Sequence, residues 1–536
     1  MTNIKRVENV LRYLAAGQCR EVVICAGARN APLVVALNAQ TKMKLWSLFE
    51  ERGAGFFALG RIKSLGAPVA VVTTSGTAAA ELLPAAIEGH YTGLPLLLVT
   101  ADRPPGYRGT GAPQAIEQKG IFGPYVEESL DLWNEPAVHA WSGTRPLHVN
   151  VCLDEPSRAE MQEIENLFAK WDGLSGPTDS RMVHMPSQSE YETVRQAKVD
   201  FVSRSSAPAV VIGGLSKRER PLVKRWLNQV RLPVYLEAPS NLTGETEIQA
   251  DVIKGGDKAL DLALSRDWVD GIIRIGGVPT LRAWRDLETK YQSLPVISFS
   301  ARAFSGLCRR DANCLRIDEL EHFQPAAAKG NPVWEEARAF AASRLVELLR
   351  AYPNSEQGML YALAAKVGPG ANLYLGNSLP IREWDLVAGG ISNSWSVEAN
   401  RGANGIDGQL STFFGFAEPE RENWAVIGDL TAMYDLTAPY VLRQRPLPNC
   451  NIVIINNRGG QIFSRMYSRI ELENRHDVEF SRWAAMWGMN YEHWKSVPPV
   501  LSRGTGPRVI EMFPNEEATA LFLKEWEAVW ADLSKR

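Results

Sequence analysis

The chain has no Cys-x-x-Cys pair, no His-Glu-x-x-His, no Gly-x-Gly-x-x-Gly and no phosphate-loop lysine. Those absences exclude, in turn, a dithiol or zinc-ribbon centre, a zincin, an intact dinucleotide motif and a Walker-type nucleotidase. No uninterrupted apolar run in the 536 residues reaches membrane-spanning length, so no membrane span is expected. An excess of either charge is also missing. Fifty-eight Lys and Arg are scattered among 61 Asp and Glu, for a net charge of -3, and no basic face for nucleic acid results. The six cysteines are far apart, and Cys25 and Cys152 lie in apolar strand-like runs, as expected of reduced thiols in a cytoplasmic protein. The N-terminal MTNIKRVENVLRYLAAG has the pattern of an amphipathic helix with charges throughout, unlike a signal sequence. None of the seven histidines has metal-ligand spacing or a case as a general base, so the difficult chemistry is expected of an organic cofactor.

What is present is an α/β rhythm repeated three times. At this length about three domains are expected, since single cores rarely exceed ~250–300 residues. Short β-branched runs predict strands at Val22 to Cys25, Val69 to Thr73 and Leu96 to Thr100, separated by helical stretches. After a polar linker at 172–189 come runs at Ala209 to Ile212, Val234 to Glu237, Gly271 to Ile275 and Val296 to Ser298. In that middle unit Gly213-Gly214 and Gly276-Gly277 could approach phosphate, but without the full motif a vestigial nucleotide fold is expected. A charged helical bridge at 326–355 precedes strands at Leu373 to Leu375, Ala425 to Ile427, Ile452 to Ile455 and Val509 to Met512. The fold class is therefore α/β, three doubly wound parallel-sheet domains at 1–180, 190–340 and 355–536.

The densest chemistry lies between Trp424 and Ser464, where Gly428-Asp429-Leu430 ends one predicted strand and Asn456-Asn457-Arg458-Gly459 ends the next. A strand-helix-strand crossover would bring Asp429 and Asn457 to one sheet edge, where a carboxylate, an amide and a backbone carbonyl suit magnesium. A helix cap at Asp429 and a turn at the asparagines fit the same residues. Glu50 and Glu51 precede GAGFFALG, a helix whose small face would admit close packing; both acids could equally complement its dipole. Thr74-Ser75-Gly76-Thr77 opens another helix, as an anion site or as ordinary capping. Arg29, Arg103 and Arg382 each follow a predicted strand, and with Arg282 and Arg401 they suggest a pocket for carboxylates. Gly376-Asn377-Ser378-Leu379-Pro380 falls short of a nucleophile elbow, so Ser378 is not read as a nucleophile.

GDL followed within thirty residues by NN resembles the motif of the thiamin-diphosphate-dependent enzymes. ARNAPL, ERGAGFFALG, TSGTAAAELLPA, LLLVTADRPP, GAPQAIEQ, GNSLPIR, NRGANGIDGQLST, GDLTAMYDL and NNRGGQIFS, in that order, are similar to the menaquinone-pathway branch of that superfamily. The resemblance covers most of the first and last domains and is weak in the middle one. It implies a pyrimidine-binding domain at 1–180, a central domain at 190–340 and a diphosphate- and metal-binding domain at 355–536. The implied activity is decarboxylation of 2-oxoglutarate and conjugate addition of the succinyl-aldehyde carbanion to isochorismate. Glu51 would be the catalytic acid at the cofactor's aminopyrimidine; Asp429, Asn457 and the Gly459 carbonyl would bind Mg²⁺ or Mn²⁺. Ser75, Gly76, Ile406, Gly428, Leu430, Ile462 and Phe463 would contact the cofactor, with Ile406 as the wedge that bends it. Arg29, Arg103, Gln114, Arg282, Ser378, Arg382 and Arg401 would hold the substrates. The family also implies a homodimer or homotetramer.

Several positions depart from the family pattern. Ala28 stands where a serine is usual, Pro113 where an asparagine is usual, Arg282 replaces a lysine, and Arg458 a small or polar residue. Guanidinium and ammonium differ in shape and hydration, so substrate choice could shift. Two other readings fit: a related synthase with a different acceptor, as in acetolactate formation, and a non-catalytic ligand-binding paralogue.

Overall fold

A computed structural model describes residues 1–133, 141–171, 188–244, 247–309, 312–327, 330–389, 391, 394–467, 469–501 and 505–535. The expected linker at 172–189, save its last two residues, lies outside them, as do His139 and His184.

Three six-stranded, wholly parallel sheets are present. The first comprises β1 (Glu21–Cys25), β2 (Lys44–Leu48), β3 (Val69–Thr73), β4 (Leu96–Asp102), β5 (Ser129–Leu132) and β6 (Leu147–Cys152), in the order β2-β1-β3-β4-β6-β5. The second comprises β7 (Pro208–Ile212), β8 (Pro233–Leu236), β9 (Asp251–Val252), β10 (Gly271–Ile275), β11 (Val296–Phe299) and β12 (Asn313–Leu315), in the order β12-β11-β10-β7-β8-β9. The third comprises β13 (Asn372–Leu375), β14 (Ser396–Glu398), β15 (Asn423–Gly428), β16 (Cys450–Ile455), β17 (Asn490–Trp494) and β18 (Arg508–Met512), in the order β14-β13-β15-β16-β18-β17. The α/β class with three doubly wound sheets is thus the observed fold. The first and third sheets share one strand order, whereas the second has the 3-2-1-4-5-6 order of dinucleotide folds.

In the second sheet the glycine pairs serve packing. A Cβ at Gly213 would lie 2.4 Å from the Gly277 carbonyl oxygen, and one at Gly276 would lie 2.6 Å from that of Gly214. The two loops close on each other, with the Gly277 N–H donating to the Gly214 carbonyl at 2.9 Å.

Two compact units result. One joins Met1–His184 to Gly402–Pro419 and Met433–Leu447; the other holds Met185–Arg401, Glu420–Ala432 and Pro448–Arg536. In the first unit the helix Glu51–Leu65 lies against the helix Gln409–Phe416. A Cβ at Gly60 would be 2.0 Å from the Thr412 carbonyl oxygen, and one at Gly415 would be 2.2 Å from that of Phe57. The small face read in the sequence is what allows this backbone-to-backbone approach. In the second unit the expected bridge is the helix Pro332–Ala351, whose Trp334, Leu348 and Leu349 join Trp384, Trp424 and Trp526 in one core.

Candidate active site

Within the first unit, four loops leave the carboxyl ends of adjacent strands β2, β1, β3 and β4. They carry Glu51, Arg29, Ser75 with Gly76, and Arg103, all at the edge where such sheets collect ligands. Glu50 is the N-cap of the helix Glu51–Leu65 and accepts the Gly53 N–H at 2.9 Å. The capping role therefore falls to Glu50, and Glu51 begins the helix half-buried. Burial pushes the Glu51 carboxyl above its ordinary range, and Glu50 and Glu81 add to that shift.

Arg29 donates to the Leu153 carbonyl at 3.0 Å, and Arg103 to the Pro113 carbonyl at 3.0 Å. The departure at 113 thus presents a backbone oxygen, which proline retains, to Arg103. Gly76 has φ +83°, and a Cβ there would lie 3.2 Å from the Gln114 Cα. Its N–H donates to Oε1 of Gln118 at 2.7 Å, while Gln118 donates to the Ala101 carbonyl and to Oδ1 of Asn150, each at 3.0 Å. Gln118 is fully buried, and sequence reasoning passed it over for the exposed Gln114 four residues earlier. Ile406 belongs to this unit and is half-buried; Ala28 is exposed.

In the second unit the third sheet repeats the arrangement. The carboxyl ends of the neighbouring strands β14, β13, β15 and β16, with the loops and first helical turns that follow them, carry Arg401; Ser378 with Arg382; Gly428, Asp429 and Leu430; and Asn457, Gly459, Ile462 and Phe463. Ser378 holds φ +71°, a strained value for a residue with a Cβ, at the turn from β13 into the helix Leu379–Ala388. Its carbonyl accepts from Arg382. Arg401 donates to Oδ1 of Asn377 at 2.8 Å, and Asn377 donates to the Asn400 carbonyl at 2.8 Å. Glu237 and Asp385 bear on both arginines. Glu237 is buried, with Oε1 accepting from the Thr280 hydroxyl at 2.5 Å, and Oδ1 of Asp385 accepts the Ala238 N–H at 2.7 Å. Burial raises both carboxyls, and the two arginines oppose the rise. Arg282 follows β10 and is exposed, its Nε bonded to Asp286 at 2.7 Å.

Asp429 is buried at the start of a helix, Asp429–Tyr434. Its Oδ1 accepts the Leu430 N–H at 2.7 Å and its Oδ2 the Gly459 N–H at 3.0 Å, which ties the two strand ends together. Burial raises this carboxyl, and the surrounding N–H groups and His476 pull it back. Nε2 of His476 lies 3.2 Å from Oδ2 of Asp429. Asn456 is turned inward, donating to Glu511 at 2.5 Å, so Asn457 is the asparagine at the edge. Asn457 in turn donates to Oε2 of Glu356 at 3.0 Å. Neither His476 nor Glu356 has a sequence signal, since each arrives from a remote segment. Arg458, exposed and at φ +64°, has its side chain 3.7 Å from Asp477.

The donor set suits a hard cation. It offers a buried carboxylate, an amide whose nitrogen is already engaged, and Gly459, whose carbonyl accepts the Gln461 N–H at 2.9 Å and has a second lone pair. A Cβ at Gly428 would meet nothing within 4 Å, so space is open beside these donors.

A sheet edge with an acid-led helix, and a second edge with this donor set, define the thiamin-diphosphate enzymes. Residues 5–121 match the family described as thiamine pyrophosphate enzyme, N-terminal TPP binding domain, and thiamin diphosphate is the cofactor. Over 99% of its length the chain is 43% identical to the whole of a 2-succinyl-5-enolpyruvyl-6-hydroxy-3-cyclohexene-1-carboxylate synthase of Bdellovibrio bacteriovorus. It is 38% identical to the synthase of the same name from Akkermansia muciniphila, over 90% of each chain. The corresponding Chloroflexus aurantiacus protein is 30% identical over 92% of this chain and 90% of its own. The chain belongs to the 2-succinyl-5-enolpyruvyl-6-hydroxy-3-cyclohexene-1-carboxylate synthase family, and is a transferase of the thiamin-diphosphate-dependent kind. Among the described residues, no helix is long and apolar enough to cross a membrane.

Proposed function

We propose that this enzyme releases CO₂ from 2-oxoglutarate and joins the remaining four-carbon unit to isochorismate, forming 2-succinyl-5-enolpyruvyl-6-hydroxy-3-cyclohexene-1-carboxylate. The observation that carries the substrate assignment is the pairing of Arg382 and Arg401 at one sheet edge, beside the buried Glu237 and the half-buried Asp385. When bound, thiamin diphosphate supplies the electron sink that decarboxylation of a 2-oxoacid requires.

The chain's own residues supply position and charge. Residues 1–180 form the pyrimidine domain, 190–340 the central domain and 355–536 the diphosphate domain. Asp429, Asn457 and the Gly459 carbonyl would hold Mg²⁺ or Mn²⁺, and Gly428 and Leu430 would flank the diphosphate. Glu51 would set its half-buried carboxyl against the aminopyrimidine, where it can exchange a proton with the ring. Ser75 and Gly76 line the ring, and Gln118 fixes their loop. Arg29, Arg103, Arg282, Arg382 and Arg401 orient substrate carboxylates, which lowers the entropic part of the barrier. Gln114 and Ser378 hydrogen-bond the reacting groups. Ile406 would be the apolar wedge against the cofactor, and Ile462 with Phe463 would line an apolar wall that excludes water, which would otherwise divert the four-carbon unit to succinic semialdehyde.

In this superfamily the two halves of the site come from opposite subunits, so the smallest competent unit is a homodimer, with a homotetramer as its larger form. Six free cysteines suit the cytoplasm. The test is one incubation of purified protein with thiamin diphosphate, Mg²⁺, 2-oxoglutarate and isochorismate, followed by mass analysis. The adduct is expected. CO₂ without adduct would assign a different acceptor, and neither product would mark a non-catalytic paralogue.

A further inference from the structure

The segment leading into the helix Gln409–Phe416 is held at both ends by buried acids from elsewhere in the first unit. At its start stands Glu88, from the helix Leu83–Thr92 and only 3% exposed. Its Oε1 accepts the Gly402 N–H at 2.9 Å and its Oε2 the Ala403 N–H at 2.8 Å. A Cβ at Gly402 would lie 2.8 Å from Oε2 of Glu88, so the carboxylate reaches this backbone because the residue is glycine. At the other end Asp435, 1% exposed, accepts the Gly408 N–H at 2.9 Å and the Ser411 N–H at 3.2 Å. Arg52, next to Glu51, lies 3.4 Å from Asp435. Gly408 has φ +66°, and a Cβ there would fall 1.9 Å from the Phe56 ring.

Between these anchors Asn404 is also left-handed, at φ +61°, and Gln409 donates back to the Gly405 carbonyl at 2.7 Å. Three glycines in seven residues would otherwise leave this segment many paths, and ordering it carries an entropic cost. Ionised acceptors bond backbone N–H groups about twice as strongly as neutral ones. Two carboxylates buried at such expense of desolvation need a compensating role, and gripping this backbone is the one their contacts define.

We infer that Glu88 and Asp435 are positioning residues that clamp 402–408 from both ends, so that Ile406 is presented to the cofactor in a single place. The inference rests on the proposed contact between Ile406 and the cofactor.

The test uses full-length Glu88→Gln and Asp435→Asn, each close to the original shape. Hydrogen exchange of the peptide 402–411 is read without cofactor. Thiamin diphosphate affinity is then measured by titration with Mg²⁺ present, and kcat and KM by turnover. Each variant is expected to speed exchange in that peptide by about tenfold while the rest of the unit stays protected, to weaken cofactor binding by about tenfold, and to lower kcat more than it alters KM. Unchanged exchange overturns the clamp, as does faster exchange with parental cofactor affinity and kcat. Ile406→Ala serves as the comparator. If it binds cofactor and turns over like the parent, the contact at Ile406 falls and the positioning role falls with it, whereas the exchange data stand on their own.

Discussion

Asn457 donates its Nδ2–H to Oε2 of Glu356 at 3.0 Å, and that bond decides which end of the amide is left for a cation. With nitrogen engaged, the oxygen is the group presented, as a hard metal requires. Glu356 begins a helix, Glu356–Ala364, capped by Ser355, so its backbone is fixed before any metal arrives. Glu356→Ala is expected to weaken Mg²⁺ binding by about 10–100-fold, the usual cost of losing an outer partner of a ligand. Calorimetric titration of Mg²⁺ into protein with thiamin diphosphate checks it; parental affinity would show that Asn457 orients itself.

Glu51→Gln separates folding from turnover. Because Glu50 caps the helix, the fold does not depend on the Glu51 carboxyl. The variant should keep its thermal transition and much of its metal-dependent cofactor binding, while kcat falls by about 10²–10⁴-fold, the range of general acid-base assistance. Full activity would remove Glu51 from the mechanism.

Arg401 is oriented by Asn377 and bears on the buried Glu237, so its charge and fork geometry both count. Arg401→Lys retains the charge but loses the planar fork, and kcat/KM for 2-oxoglutarate should fall by about tenfold or more. Pyruvate, which lacks the distal carboxylate, should be affected less. An equal loss for both 2-oxoacids would move Arg401 away from the distal carboxylate.

The interior strands other than β6 were legible because they are continuous apolar runs, as in Ala425 to Ile427 or Val69 to Thr73, whereas LHVNVC of β6 is interrupted by His148 and Asn150. The strands that escaped sequence reading include all six sheet edges, β2, β5, β9, β12, β14 and β17. KLWSL and NYEHW show why: with one side unpaired and less of each chain buried, an edge tolerates charge and loses its signature. The same division runs through the site. Asp429 and Glu51 sit at strand ends and in short motifs, so the resemblance to the thiamin-diphosphate enzymes singles them out. Glu88, Glu356, His476 and Gln118 act across the fold, at distances along the chain that no local period records. In the second sheet the glycine pairs, read as a vestige of a nucleotide fold, serve packing, because the loops of two strands close on one another.

His148 makes a pH prediction with a defined sign. It is fully buried in β6, with its ring nitrogens 2.8 Å from the hydroxyls of Thr100 and Ser129. Burial lowers its pKa to about 3, against the opposing pull of Asp131. The unfolded chain accepts a proton near pH 6.5, which the folded ring refuses, so the stabilising contribution is complete above that pH and is lost as pH falls from there toward about 3. Between pH 7 and pH 5 the loss from this one group is about 2 kcal/mol. Asp435 runs in the opposite direction, because burial pushes its carboxyl up to about 6 and the folded state gains a proton that the unfolded chain does not yet take. The two therefore offset in the parent, and the informative comparison is with His148→Gln, which can bond both hydroxyls without titrating. Urea denaturation should show the variant gaining stability relative to the parent by about 2 kcal/mol on moving from pH 7 to pH 5. A constant difference between the two proteins across that window would mean that His148 takes up its proton in the folded state as readily as in the unfolded chain.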